Sequence, residues 1–235
     1  MPTLLAISPH LDDAVFSAGG TLAQRAHEGW NVIIATCFTG NVSKAQGFAL
    51  ACQLDKGIAA DIDYMALRRA EDREACRFLG ATTVHLALLE APHRGYQDVK
   101  ALFGSRLALD EVKMQLQGEL ARLVEYFHPD AIFAPAAIGN HVDHWVVRDC
   151  VAELIRQGLL VSSSVRLWSD WPYVDKVTKF SDTLSEIMPI TNRDIALKIA
   201  ASSAYVSQIG FQFGSLEAMK DRIAGIRTET FWHVN

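Results

Sequence analysis

The chain has 235 residues, of which 50% are hydrophobic and 21% charged, and a formal net charge of −5. That balance suits one domain with a sizeable core and excludes a disordered or fibrous chain. It lacks the basic stripe a nucleic-acid partner needs and any apolar stretch of the roughly 18–20 residues that span a membrane; with no basic leader at Met1-Pro2-Thr3, a cytoplasmic protein is expected.

Taken in chain order, apolar runs predict strands over 3–8, 31–37, 83–89, 130–135 and 164–168. Helical spacing predicts helices over 14–28, 66–79, 108–127, 142–157, 193–205 and 215–225. Gly29, Gly80 and Gly158 stand where helices stop. The alternation predicts an α/β fold: one doubly wound, Rossmann-like domain with a mostly parallel sheet and helices on both faces. The irregular stretches Thr39–Asp63 and Glu90–Leu107 follow predicted strands and are expected to shape a pocket. Cys37, Cys52, Cys76 and Cys150 are scattered, as reduced thiols are, with no thiolate metal spacing.

The first predicted strand ends in Ser8-Pro9-His10-Leu11-Asp12-Asp13, so one imidazole and two carboxylates sit on a strand-to-helix turn. In parallel sheets such turns open onto the ligand crevice. His10 and an aspartate make a nitrogen-and-oxygen metal site once a third ligand arrives. Asp12 or Asp13 is equally readable as an ordinary helix cap, with His10 a solvated loop residue. Two adjacent carboxylates repel, however, and a cap needs only one; a nearby cation removes the conflict.

The fourth predicted strand leads through Ala136-Ala137-Ile138-Gly139 to Asn140-His141-Val142-Asp143-His144. His141 and His144 share a helix face, a spacing found more often on ordinary surfaces than in ligand pairs. If the strands are parallel, this turn lies on the same sheet edge as the first, and the two clusters together form a metal-plus-carboxylate constellation. A dinucleotide site does not fit. The first turn has no Gly-x-Gly-x-x-Gly, its carboxylates obstruct a phosphate, and Gly19-Gly20 fall inside the helix, where small residues permit close packing.

With these motifs the sequence resembles the zinc-dependent de-N-acetylases of the PIG-L/LmbE family, as one domain over residues 1–235. Pro9-His10-Leu11-Asp12-Asp13 and His141-Val142-Asp143-His144 carry the resemblance, with Leu11 where many members have Pro. Arg68-Arg69-Ala70-Glu71 running to Leu79-Gly80, and Lys198 through Tyr205-Val206-Ser207-Gln208, add two less specific matches. The resemblance implies Zn²⁺, replaceable by Fe²⁺ or Co²⁺, held by His10, Asp13 and His144 with an open position for water. It implies Asp12 as general base, His141, if protonated, as stabiliser of the oxyanion, and Asp143 as a candidate partner that orients one of the histidines. The implied reaction removes the N-acetyl group from an N-acetylglucosamine-like unit of a small glycoconjugate. The expected partner is thus a small N-acetylated sugar, with monomer and homo-oligomer both open.

Arg68 matches the family arginine that reaches substrate; the alternative is an ion pair with Glu71 or Asp72 on its own helix. Arg94 and Tyr96 are offered as sugar or phosphate contacts, or else belong to an ordinary surface loop. His27, His85, His128 and His233 stand singly and receive no role. Two rival functions come from other classes. One is a metallohydrolase of another amide or ester, although phosphoester sites usually want two metals and more carboxylates. The other is a zinc-retaining sugar-binding protein, which has no need of a free Asp12.

Overall fold

The computed structural model describes residues 1–176 and 185–234. Among them seven strands form one sheet: β1 (Thr3–Ser8), β2 (Asn31–Thr36), β3 (Thr82–His85), β4 (Ala131–Pro135), β5 (Val165–Trp168), β6 (Ser185–Pro189) and β7 (Thr228–His233). The order is β3-β2-β1-β4-β5-β7-β6. The first five strands pair in parallel, and β7 runs antiparallel to both β5 and β6. The helices are α1 (Asp13–His27), α2 (Gly47–Leu54), α3 (Tyr64–Leu79), α4 (Val99–Leu102), α5 (Val112–Phe127), α6 (Val142–Arg156), α7 (Asn192–Ser203), α8 (Val206–Phe213) and α9 (Leu216–Ala224).

A parallel strand covered on both faces must be apolar at every position, and β1 shows why. Leu4 and Ala6 join the core under α1, α3, α7 and α9, while Leu5 and Ile7 join the core under α5 and α6. Helices therefore cover both faces, as the alternation predicts. β1 has β2 on one side and β4 on the other, which makes the gap between β1 and β4 the point where the winding reverses. Ligands bind beyond the carboxyl ends of the strands at such a point. Both histidine-bearing turns emerge there.

The structure departs from the predicted elements in four places. β3 stops at His85, four residues short of expectation, because the chain turns to form an antiparallel bridge between Phe38 and Ala87. α2 and α4 lie inside stretches that read as irregular, and α8 follows α7 almost without a break. β6 and β7 carry no clear strand pattern. The reason in β7 is Glu229, a buried acid in the strand that pairs with Lys198 of α7 at 2.6 Å. The same carboxylate accepts from the N–H groups of Gly20 (2.9 Å) and Thr21 (2.7 Å) inside α1. Close approach explains Gly20: a Cβ there would stand 2.8 Å from Ile190 Cδ1.

The two less specific motif segments join helices to one another. Ser207 donates from its N and Oγ to Glu71, and Tyr205 donates to Asp72 at 2.7 Å. His85, read as partnerless, lies 2.7 Å from the other Asp72 oxygen. All four cysteines are free. No helix among the described residues is long and apolar enough to cross a membrane.

Candidate active site

Ser8 settles what the first turn's carboxylates are free to do. Its Oγ accepts from Ala14 N at 3.1 Å, near the start of α1, and donates to the His10 carbonyl at 2.7 Å. Asp12 occupies the cap position but makes no side-chain cap hydrogen bond. Asp13 accepts instead from the His10 backbone N–H at 2.8 Å. With the helix end served by a serine, both carboxylates turn towards the site.

Asp13 Oδ2 lies 3.2 Å from His10 Nδ1 and 3.2 Å from His144 Nε2. The opposite nitrogen of each ring is held by another carboxylate: His10 Nε2 by Asp143 at 2.9 Å and His144 Nδ1 by Asp170 at 2.8 Å. A carboxylate behind each imidazole fixes its tautomer and orientation, the support that metal-bound histidines require. His144 Nε2 is fully buried and faces the Asp13 carboxylate without a well-formed hydrogen bond to it. A buried polar atom left in that state calls for a partner, and two imidazole nitrogens with a carboxylate oxygen are a donor set for a divalent ion. His10, His141 and His144 bring nitrogens within 4.8 Å of one another.

His141 is the N-cap of α6. Its Nδ1 accepts from the Asp143 N–H at 3.2 Å. An accepting Nδ1 leaves the proton of the neutral ring on Nε2, which is then a donor rather than a metal ligand. Burial, helped by nearby His10, pushes the His141 pKa down to about 3. The protonated form is therefore disfavoured, which leaves a neutral ring with its proton on Nε2. Burial lowers His144 too, but Asp13 and Asp170 more than reverse this and hold it up at about 9. Burial also pushes the Asp12 carboxyl up to about 7, against the pull of Arg68.

Arg68 reaches the site from α3. It donates to Glu90 at 2.6 Å and to the Leu11 carbonyl at 3.1 Å, and lies 3.6 Å from Asp12. It pairs with neither Glu71 nor Asp72, whose partners are on α8, in β3 and at Tyr205. Arg94 does not take the substrate-facing place expected of it. Its guanidinium is engaged by Asp110, by the Leu89 carbonyl and by Asp143, behind the wall of the cavity. Tyr96 is fully buried and donates to Asp110 at 2.9 Å.

The cavity holds about 650 Å³. His10, Asp12, Asp13 and His141 border it on one side, next to Arg68 and Glu90. The two stretches read as irregular supply much of the rest of the lining, including Phe48, Lys56 and Phe103, with Tyr173 and Phe211 from later in the chain; Phe103 packs against His141 and Tyr173 against His144. Glu90, Asp170 and Tyr173 were not singled out by sequence. Asp170 had a signal: it stands two residues beyond a predicted strand, at the same sheet edge as the motifs.

Residues 5–155 match the model of the PIG-L family, described as GlcNAc-PI de-N-acetylase. The chain belongs to this family. The match contains both histidine motifs and stops short of Asp170. A 2'-N-acetylparomamine deacetylase of Streptomyces fradiae is 29% identical over 198 residues, covering 82% of this chain and 67% of the relative. A teicoplanin-pathway deacetylase solved with bog superposes with a TM-score of 0.85 at 29% identity, covering 98% of this chain and 96% of that one. The zinc-inhibited form of the teicoplanin deacetylase gives 0.82 at 29% identity, covering 98% and 97%. This PIG-L chain is thus a hydrolytic N-deacetylase of mixed, mostly parallel α/β architecture, with side chains suited to a divalent metal.

Proposed function

We propose that the protein, as one domain over residues 1–235, removes the N-acetyl group from an N-acetylglucosamine-like unit of a small glycoconjugate with Zn²⁺ held by His10, Asp13 and His144. The observation that carries this reading is the convergence of His10 Nδ1 and His144 Nε2 on one Asp13 oxygen, each at 3.2 Å. Zn²⁺ suits two imidazoles and a carboxylate with room for water, and Fe²⁺ or Co²⁺ suit the same donors. When bound, such an ion supplies Lewis acidity to water and to the amide carbonyl.

The chain's own residues supply the proton traffic. Asp12 is left free by Ser8 and lies beside the metal-binding carboxylate. It takes a proton from the water that attacks the acetyl carbon and returns it to the nitrogen as the C–N bond breaks, giving acetate and a free amine. A carboxyl held near 7 by burial suits both steps. His141 donates from Nε2–H to the oxygen that gains charge. Arg68, anchored on Glu90, faces the sugar. A cavity of about 650 Å³ leaves room for an aglycone beside the acetylated ring, which fits a glycoconjugate better than a free monosaccharide.

The test is acetate release from N-acetylated sugars and glycoconjugates, with N-acetylparomamine and a teicoplanin-type glycopeptide in the panel because relatives carry those names. Release that a chelator abolishes and Zn²⁺ restores is the expected result. Tight metal binding without release from any member would favour the sugar-binding alternative.

A further inference from the structure

We infer that Arg94 is a positioning residue of the metal centre: it clamps Asp143, and Asp143 fixes the ring of His10. The inference rests on the reading of His10 as a metal ligand.

The geometry runs outward from the site in unbroken hydrogen bonds. His10 Nε2 meets Asp143 Oδ2 at 2.9 Å, and the Ala91 N–H donates to that oxygen at 3.1 Å. The other Asp143 oxygen accepts from Arg94 Nη2 at 2.7 Å. Arg94 is held from behind by Asp110, through Nε at 3.1 Å and Nη2 at 3.0 Å, and its Nη1 donates to the Leu89 carbonyl at 2.6 Å. Tyr96 braces Asp110 with its hydroxyl at 2.9 Å. The guanidinium lies 5.0 Å from the Phe38 ring centre and 5.7 Å from that of Tyr96.

Each of the three guanidinium nitrogens of Arg94 thereby donates inside the protein, and its side chain is only 10% exposed. A planar fork that joins two carboxylates while lying against aromatic rings has one orientation, and lysine cannot reproduce it. The carboxylate behind a metal-bound histidine sets the ring's tautomer and direction, and its loss typically costs about 10–100-fold in metal affinity. Arg94 is what keeps that carboxylate in place. Its position in the loop between β3 and α4 ties that loop to the metal centre.

The experiment measures Zn²⁺ affinity by chelator competition on the folded, full-length protein, for wild type, Arg94→Lys, Arg94→Met and Asp110→Asn. Circular dichroism and melting of the metal-free forms serve as controls. The expected result is Zn²⁺ affinity lowered about 10–100-fold in Arg94→Met, partly recovered in Arg94→Lys, and lowered less in Asp110→Asn. The Co²⁺-loaded variants should also show an altered visible spectrum. Folded Arg94→Met with wild-type Zn²⁺ affinity overturns the inference. So does a raised KM with metal affinity intact, which would make Arg94 a substrate contact. If Arg94→Met does not fold, Asp110→Asn decides by the same criterion. Wild-type protein that binds no Zn²⁺ defeats the metal reading itself, a result distinct from tight wild-type binding that Arg94→Met leaves unchanged.

Discussion

His10 and His144 approach the same Asp13 oxygen at the same distance, yet they are supported from behind by different means. Behind His10, Asp143 is locked by the Arg94 guanidinium and the Ala91 N–H. Burial would raise its pKa, but the His10 hydrogen bond and the Arg94 charge hold it well below the usual carboxylate range. Behind His144, Asp170 has the Ile138 N–H at 2.8 Å and no cationic partner apart from His144 among the described residues. Burial dominates there and pushes the Asp170 pKa up. The difference follows from what each arm is built on. Asp170 stands just beyond β5 and His144 in the first turn of the helix that follows β4, so the pairing of these two parallel strands already brings the segments side by side. The His10 arm must also gather the loop after β3, and a buried ionic clamp does so.

The largest expected effects test whether the arms meet on a metal at all. His144→Ala and Asp13→Ala should each lose metal and turnover together, by elemental analysis and acetate release. Asp12→Asn should keep full metal occupancy and lose about 10²–10⁴-fold in kcat, the usual contribution of a general base. A kcat above about a tenth of wild type would remove Asp12 from that role, since a tenfold loss falls below that range.

The next test sharpens the contrast between the arms. Asp143→Asn and Asp170→Asn should both weaken metal binding, within about 10–100-fold. The Asp143 variant should lose more, because it strips a fully ionised carboxylate from between a ligand and a buried guanidinium. Equal losses by chelator competition would mean that the clamp adds nothing.

The smallest effect concerns the turn that carries His10 and Asp13. Ser8→Ala removes the acceptor for Ala14 N and should lower stability by about 0.5–2 kcal/mol in denaturant melts. Asp12→Ala should show no such capping loss. The reverse pattern would restore Asp12 to the role of helix cap.

Much of this is legible in the sequence. The alternation of strands and helices, the helix stops near Gly29, Gly80 and Gly158, and the two histidine turns at one sheet edge all follow from local periodicity and turn chemistry. The C-terminal region was harder to read. β7 hides behind Glu229, whose burial makes sense only beside Lys198 and the Gly20 and Thr21 N–H groups of α1. Arg94 read as a loop residue available to substrate, because sequence shows its charge but not the two carboxylates that occupy it.

By itself, then, the sequence determined the α/β layering, the edge on which the chemistry sits and the side chains able to hold a metal, because periodicity and turn signals act over a few residues. Only the tertiary structure decided which carboxylate stands behind which histidine. His10 meets Asp143 across 133 positions, Arg94 meets Asp143 across 49 and His144 meets Asp170 across 26. Such pairings depend on which strands lie side by side, and that is settled by packing the whole sheet between its two helical layers.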